Sequence, residues 1–306
     1  MSNATLEYIA GVLKYCTDHG EQATLEKYEI KASTLERYQR KARYFETSEP
    51  KILLLDIETA RMIAGVWRLG KQRLGPEQIV HDWFILGWAC KWLFDSEVIS
   101  EFVTSAEAKK RDDSRIVKKL WKLVDDADVI IAHNGTRFDI PKINTRFILN
   151  GLKPPHPYQV LDTNKVAYKQ FGFSSNKLDY LGKLLVNKQK QHTDYELWIK
   201  CENGDQESLD YMKEYCIADT QLLENVYVEL RPWMKSHPNL AVLMNANEPC
   251  CPNCGGFEFT EGNHYYITPQ NKYQTVRCNS CGAVNRKKVS ELTNEQRKTI
   301  LVPAAR

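Results

Sequence analysis

The spacing of apolar positions changes along the chain, and the changes divide it. Leu6, Ile9 and Leu13 recur at helical spacing, Gly20 interrupts them, and Leu25, Tyr28 and Ile30 mark a second short helix. Ser33 with Glu36 three residues on reads as a capping box, and Leu35, Tyr38 and Ala42 give a third helix its apolar face. Periodicity stops at residues 46–50 and again at 245–249, so three segments are expected: 1–48, 49–245 and 246–306. The middle one opens with KILLLDIET, a continuous apolar run ending in acids, as a strand buried on both faces requires. Residues 78–94, rich in aromatic and β-branched residues, and the alternating EVISEFVT predict two more strands with no helix between. Trp88, Cys90 and Trp92 share one face there, read as buried packing rather than a base-stacking platform. Ile116, Leu120 and Leu123 then repeat as a helix should, VIIAHN is a short strand, and VLDT another after a Pro-rich loop. Helices are expected around 164–171, over 177–186 and over 207–229, the last with Leu209, Met212, Ile217, Leu222 and Val226 on its core face.

Consecutive strands followed by strand–helix alternation imply an α/β mixed sheet flanked by helices, the ribonuclease H-like arrangement rather than a purely parallel, doubly wound sheet. Ahead of it, three short helices with a tight turn at residues 30–32 fit a helix-turn-helix whose last helix would lie in a groove of DNA. A small bundle docking on a protein partner fits the same pattern.

The chain has 306 residues, and with 42% hydrophobic and 26% charged residues and no long uncharged apolar run it has no spanning helix. The N-terminus shows no basic start followed by an apolar run, so no secretory signal is read and the cytoplasm is the expected compartment. The net charge of +3 is unevenly spread. Residues 31–45 hold Lys31, Arg37, Arg40, Lys41 and Arg43 against Glu36 alone, and residues 249–306 carry eight cations against four acids. Such stretches suit phosphates, although most charge runs are only solvated faces.

Three short stretches place acids at element ends. Asp56 and Glu58 sit two apart at the end of the first strand and so point to one side of the sheet. Asp139 closes N-G-T-R-F-D after the second apolar strand, at a helix start. Tyr215 and Asp219 are four apart on the long helix and share a face. Each piece alone is commonly a cap or loop start. Together they form a cluster that would repel itself and a phosphate backbone unless divalent cations neutralised it, and hard oxygen donors suit Mg²⁺ or Mn²⁺. Two such ions support phosphodiester hydrolysis.

On these residues the sequence resembles the DEDD superfamily of 3′–5′ exonucleases. The motifs are D-I-E-T at 56–59, N-G-T-R-F-D at 134–139 and Y-C-I-A-D at 215–219. The tyrosine branch is indicated, since the position where the other branch carries histidine is Glu214. SNKLDYLGKLL and the stretch from HTDYELW to LRPW look similar to the polymerase-B-type exonucleases of phages and bacteria, and the resemblance covers roughly residues 50–235. It implies Asp56, Glu58, Asp139 and Asp219 as ligands of two Mg²⁺ or Mn²⁺ and Tyr215 as the residue that positions water. The implied activity is 3′–5′ hydrolysis of nucleic acid, DNA favoured over RNA. Transposase- or resolvase-type endonucleases share the expected architecture, and a non-catalytic nucleic-acid-binding protein is the third reading.

Nine cysteines without a signal peptide point to thiol or metal chemistry. Cys251 and Cys254, then Cys278 and Cys281, form two C-x2-C knuckles each followed by Gly, with twenty-three residues between them. That is close to ribbon spacing and predicts one structural Zn²⁺ in a closed thiolate tetrahedron. His264 is read as a surface residue, Cys250 as an ambiguous neighbour, and Cys16, Cys90, Cys201 and Cys216 as small core residues. Tyr265, Tyr266, Lys272, Tyr273 and Arg277 interleave aromatics with cations, followed by Arg286, Lys287 and Lys288. Expected nucleic-acid contacts are therefore Lys272, Tyr273 and Arg277, with Arg37, Arg40, Lys41 and Arg43 at the other end.

Overall fold

The computed structural model describes residues 3–30, 34–35, 50–71, 73–188, 193–302 and 304. The chain divides into two compact units, Lys51–Pro238 and the combination of Met1–Pro50 with Asn239–Arg306.

The larger unit is built on a five-stranded mixed sheet. Its strands are β1 (Ile52–Thr59), β4 (Ile85–Trp92), β5 (Ile99–Phe102), β6 (Val129–Ala132) and β7 (Gln159–Asp162), in the order β5-β4-β1-β6-β7. β1 runs antiparallel to β4 and parallel to β6, and so occupies the centre, where both faces are covered. That burial is why its sequence is continuously apolar until the acids. On one face Leu53, Leu55 and Ile57 join a core with α4 (Ser114–Asp125) and α5 (Asp139–Leu149), through Ile116, Leu120, Val124, Ile143 and Phe147. On the other, Asp56 meets Cys216 of α9 (Gln206–Leu230). Trp88 is fully buried in the core, its indole N–H donating to Ile116 O at 2.9 Å, as packing rather than stacking. The remaining helices described in this unit are α3 (Ser105–Lys110), α6 (Thr163–Gln170), α7 (Leu178–Val186) and α8 (Tyr195–Glu202). This is the expected ribonuclease H-like arrangement.

Two expectations are corrected here. Residues 78–94 are not one strand: β3 (Ile79–His81) pairs with β2 (Ile63–Ala64) in a separate two-stranded ladder, and only residues 85–92 enter the main sheet. The break occurs where the Asp82 carbonyl is taken by Arg111. On α9, Ile217 is only half-buried. Cys216 and Thr220 take the core-facing position instead, with the Thr220 hydroxyl 3.3 Å from Ala89 O on β4.

In the second unit, α1 (Asn3–His19) and α2 (Glu21–Tyr28) meet at Gly20, whose φ of 84° only glycine adopts freely. Thr34 and Leu35 are helical, but the remainder of the expected third helix, with Arg37, Arg40, Lys41 and Arg43, lies outside the described residues. The C-terminal part holds α10 (Leu240–Leu243), the antiparallel strands β8 (Phe259–Ile267), β9 (Lys272–Cys278) and β10 (Val284–Arg286), and α11 (Asn294–Lys298). Its cluster of four cysteines fits a zinc ribbon. Among the described residues no helix is long and apolar enough to cross a membrane.

Candidate active site

Carboxylate oxygens of Asp56, Glu58 and Asp219 lie within 4.8 Å of one another. Strand alternation puts the first two on one side of β1, and α9 crosses there with Asp219 turned in, 2% exposed. A register shift immediately after Glu58 interrupts the β1–β4 pairing, which resumes with Thr59 opposite Ile85. Asp139, the first residue of α5, is 3% exposed and its Oδ1 accepts the Ile57 N–H at 3.2 Å. It therefore hangs on the backbone between the two acids of β1. Burial pushes its carboxyl well above the usual range, and the Asp56 charge adds to the shift. A divalent cation would reverse that repulsion. Tyr215, 8% exposed, sits one helical turn before Asp219 on the same face of α9.

The Cys216 thiol points at Asp56, with its Sγ 3.3 Å from Oδ2. Burial, then the charges of Asp56 and Glu58, push this thiol far up, so it stays protonated as a donor to the carboxylate. Cys90 and Cys201 are buried as expected; Cys16 is half-buried.

The loop that delivers Asp139 is braced by a residue that sequence reasoning missed. Asp162, at the end of β7, accepts the Asn134 N–H (2.9 Å), the Thr136 N–H (3.2 Å) and the Thr136 hydroxyl (2.6 Å). It also caps α6 through the Asn164 and Lys165 amides. Asn134 takes φ 66°, and a Cβ on Gly135 would stand 2.3 Å from that of Ala132, so the turn needs a glycine there. His133 is fixed from both sides, Nε2 donating to Asn176 O (2.8 Å) and Nδ1 meeting the Thr163 hydroxyl (2.9 Å). Thr136 and Asp162 also line a cleft shared by Lys165, Lys169 and Lys235. The spacing of β7 and α6 offered only a helix cap as a signal for Asp162.

In the second unit the four expected thiols converge. Sγ atoms of Cys251 and Cys281 are 3.7 Å apart, those of Cys254 and Cys278 3.6 Å. Four sulfurs at about 2.3 Å from one Zn²⁺ stand about 3.8 Å apart, so the cluster fits the ion. Each knuckle closes on a glycine with positive φ, Gly255 at 72° and Gly282 at 80°. The Asn285 amide lies 3.6 Å from Cys251 Sγ. Cys250 stands outside the cluster, its thiol pushed up to about 11 by burial. His264 is exposed. The aromatic and cationic residues of the ribbon engage one another: Lys272 Nζ lies 3.8 Å from the Tyr265 ring centre, the Arg286 guanidinium 4.1 Å from that of Tyr273, and Arg277 donates to Gly282 O at 2.8 Å.

A family model described as RNase_H superfamily matches residues 90–231. The match spans Asp139, Tyr215 and Asp219 and begins after β1, so Asp56 and Glu58 enter through the geometry of the sheet. No curated protein matches the chain significantly. An RNase H-like domain with an acidic cluster at its central strand supports a nuclease-type function on nucleic acid.

Proposed function

We propose that the chain is a metal-dependent 3′–5′ exonuclease, acting on DNA in preference to RNA. The observation that carries this is the convergence of Asp56, Glu58 and Asp219 on the sheet, with Asp139 bound to the backbone between the first two. Asp56, Glu58, Asp139 and Asp219 would hold two Mg²⁺ or Mn²⁺, which supply charge neutralisation and an acidified water. With the charge of the carboxylates neutralised in this way, the terminal phosphodiester can approach the cluster; Tyr215 holds and orients the attacking water. Water oxygen bonds to phosphorus, the bond to the 3′ oxygen of the preceding nucleotide breaks, and that oxygen takes up a proton as a 5′-mononucleotide leaves. Cys251, Cys254, Cys278 and Cys281 would hold one structural Zn²⁺, and Lys272, Tyr273 and Arg277 would add contacts to the strand, with Arg37, Arg40, Lys41 and Arg43 offering a basic stretch for duplex.

The test is a Mn²⁺ and Mg²⁺ titration on 5′-labelled linear single strands, duplexes and RNA beside a circular single strand. A descending ladder on linear DNA, absent with Asp56→Asn or Asp219→Asn and with the circle intact, is expected. A cut circle means an endonuclease; binding without hydrolysis means a binding module.

A further inference from the structure

Between β1 and β4 the chain makes an excursion that the acidic site does not use. The β1–β4 pairing continues past Glu58 through the Ala60 N–H on Phe84 O (2.9 Å), then into the β2–β3 ladder of Ile63 with His81 and Ala64 with Ile79. Gly65 N donates to Gln78 O at 2.8 Å, and the Gln78 side chain bridges Gly75 N and Gly65 O. A two-stranded arm therefore extends the central strand pair outward at the end that carries Glu58, with residues 66–71 and 73–77 at its tip.

Its root is fastened by charged groups. Arg111 donates to the carbonyls of both Arg61 (2.9 Å) and Asp82 (2.8 Å), tying the outgoing and returning chains together. Glu202 receives the backbone N–H of Arg61 at 2.7 Å and its guanidinium at 2.8 and 3.0 Å. The tip is the opposite in character: Trp67 is 97% exposed and Leu69 95%. Around them stand Arg68, Lys71 and Arg73, all exposed, against Glu77 alone. A large apolar surface presented on a fastened arm marks a binding surface. Indole beside several cations is the combination that stacks an unpaired base and pairs with its flanking phosphates.

We propose that this arm grips the single-stranded part of the substrate, with Trp67 stacking on a base and Lys71 and Arg73 meeting phosphates. The proposal rests on the nuclease reading above for the identity of the polymer. Affinity is measured by fluorescence anisotropy with labelled oligothymidylate in Ca²⁺, which holds the strand uncleaved. Trp67→Ala is expected to weaken binding by roughly 5- to 150-fold, the value of one base–aromatic stack, and Trp67→Phe to retain most of it. Lys71→Ala with Arg73→Ala should flatten the salt dependence by about 0.7 for each phosphate of a single strand that is no longer neutralised. Thermal unfolding checks that each variant folds. An unchanged affinity for Trp67→Ala overturns the proposal. So does sedimentation in which that variant abolishes self-association while binding the strand normally, because the tip would then belong to a second copy. Hydrolysis of the p-nitrophenyl ester of thymidine 5′-monophosphate by the unaltered chain in Mn²⁺ reads the carboxylates by themselves. Its failure sinks the nuclease reading, while the arm still stands or falls on the affinities.

Discussion

Asp162 accepts amide and hydroxyl hydrogens from the loop on one side and from the first turn of α6 on the other, while almost fully buried itself. Removing such a carboxylate leaves its amide and hydroxyl donors without their acceptor, which costs about 1–3 kcal/mol. Asp162→Ala is therefore expected to lower the thermal midpoint and to weaken Mn²⁺ binding at the acidic cluster, read by calorimetric titration; Mn²⁺ binding at wild-type strength would show that Asp139 is positioned without it. Gly135→Ala tests the same loop from inside, since its methyl must displace the Ala132 side chain. Overpacking of this kind costs about 1–3 kcal/mol, and hydrolysis should fall by more than stability does, because the displaced segment leads straight to Asp139. That Asp56 and Glu58 share one side of the sheet, and Tyr215 and Asp219 one face of a helix, could be read from sequence because strand alternation and helical spacing are local rules. Asp162 could not: its partners Asn134 and Thr136 lie 28 and 26 residues away, in a loop no periodicity describes.

Short helices in this chain depend on what lies beyond them, and α3 shows how. Thr104 caps it, Glu107 returns the capping hydrogen bond, and the same Glu107 pairs with Arg115 on α4 at 2.8 Å. Arg115 and the cap together hold the Glu107 carboxyl at about 2, against an ordinary 4.5. A depressed carboxylate stabilises the fold above its ordinary value, and that stabilisation disappears as pH falls through 2. Arg115 is more than a third open to solvent, so screening and the cap leave about 1–2 kcal/mol. Glu107→Gln should lower stability by that amount near neutrality, with the gap to the wild-type chain closing in urea melts as pH drops from 4.5 towards 2; a gap that stayed constant would assign the effect to packing. Elements whose burial is uniform, such as β1, were legible from composition alone. Residues 78–94 were not, because one stretch of aromatic and β-branched residues serves two sheets. The division is set by Arg111 and by the partner strand at residues 63–64, both remote in sequence.

At the level of the whole chain the two units are held together by different means. The core of Lys51–Pro238 is a large apolar cluster drawn entirely from its own residues, from Leu53 to Tyr215. The ribbon's cluster is Cys251, Cys254, Cys278 and Ala283, with Phe259 and Cys281 packed on it. Four thiols and so few apolar side chains offset little of the chain entropy of three strands, so an ion held by the thiols would have to supply the difference. The C-x2-C spacing already carried the convergence of the four thiols in the sequence, since a knuckle is a local structure completed by its following glycine. One Zn²⁺ per chain is the expected content by elemental analysis. Stripping it with a strong zinc chelator, or replacing Cys254 by Ser, should remove a calorimetric transition and the amide protection of residues 259–278. The transition of Lys51–Pro238 should persist, because no cysteine of that unit belongs to the thiol cluster. A zinc-free chain whose ribbon amides remain protected would mean that contacts other than the metal hold the strands, and the assignment of these thiols to a structural ion would fall.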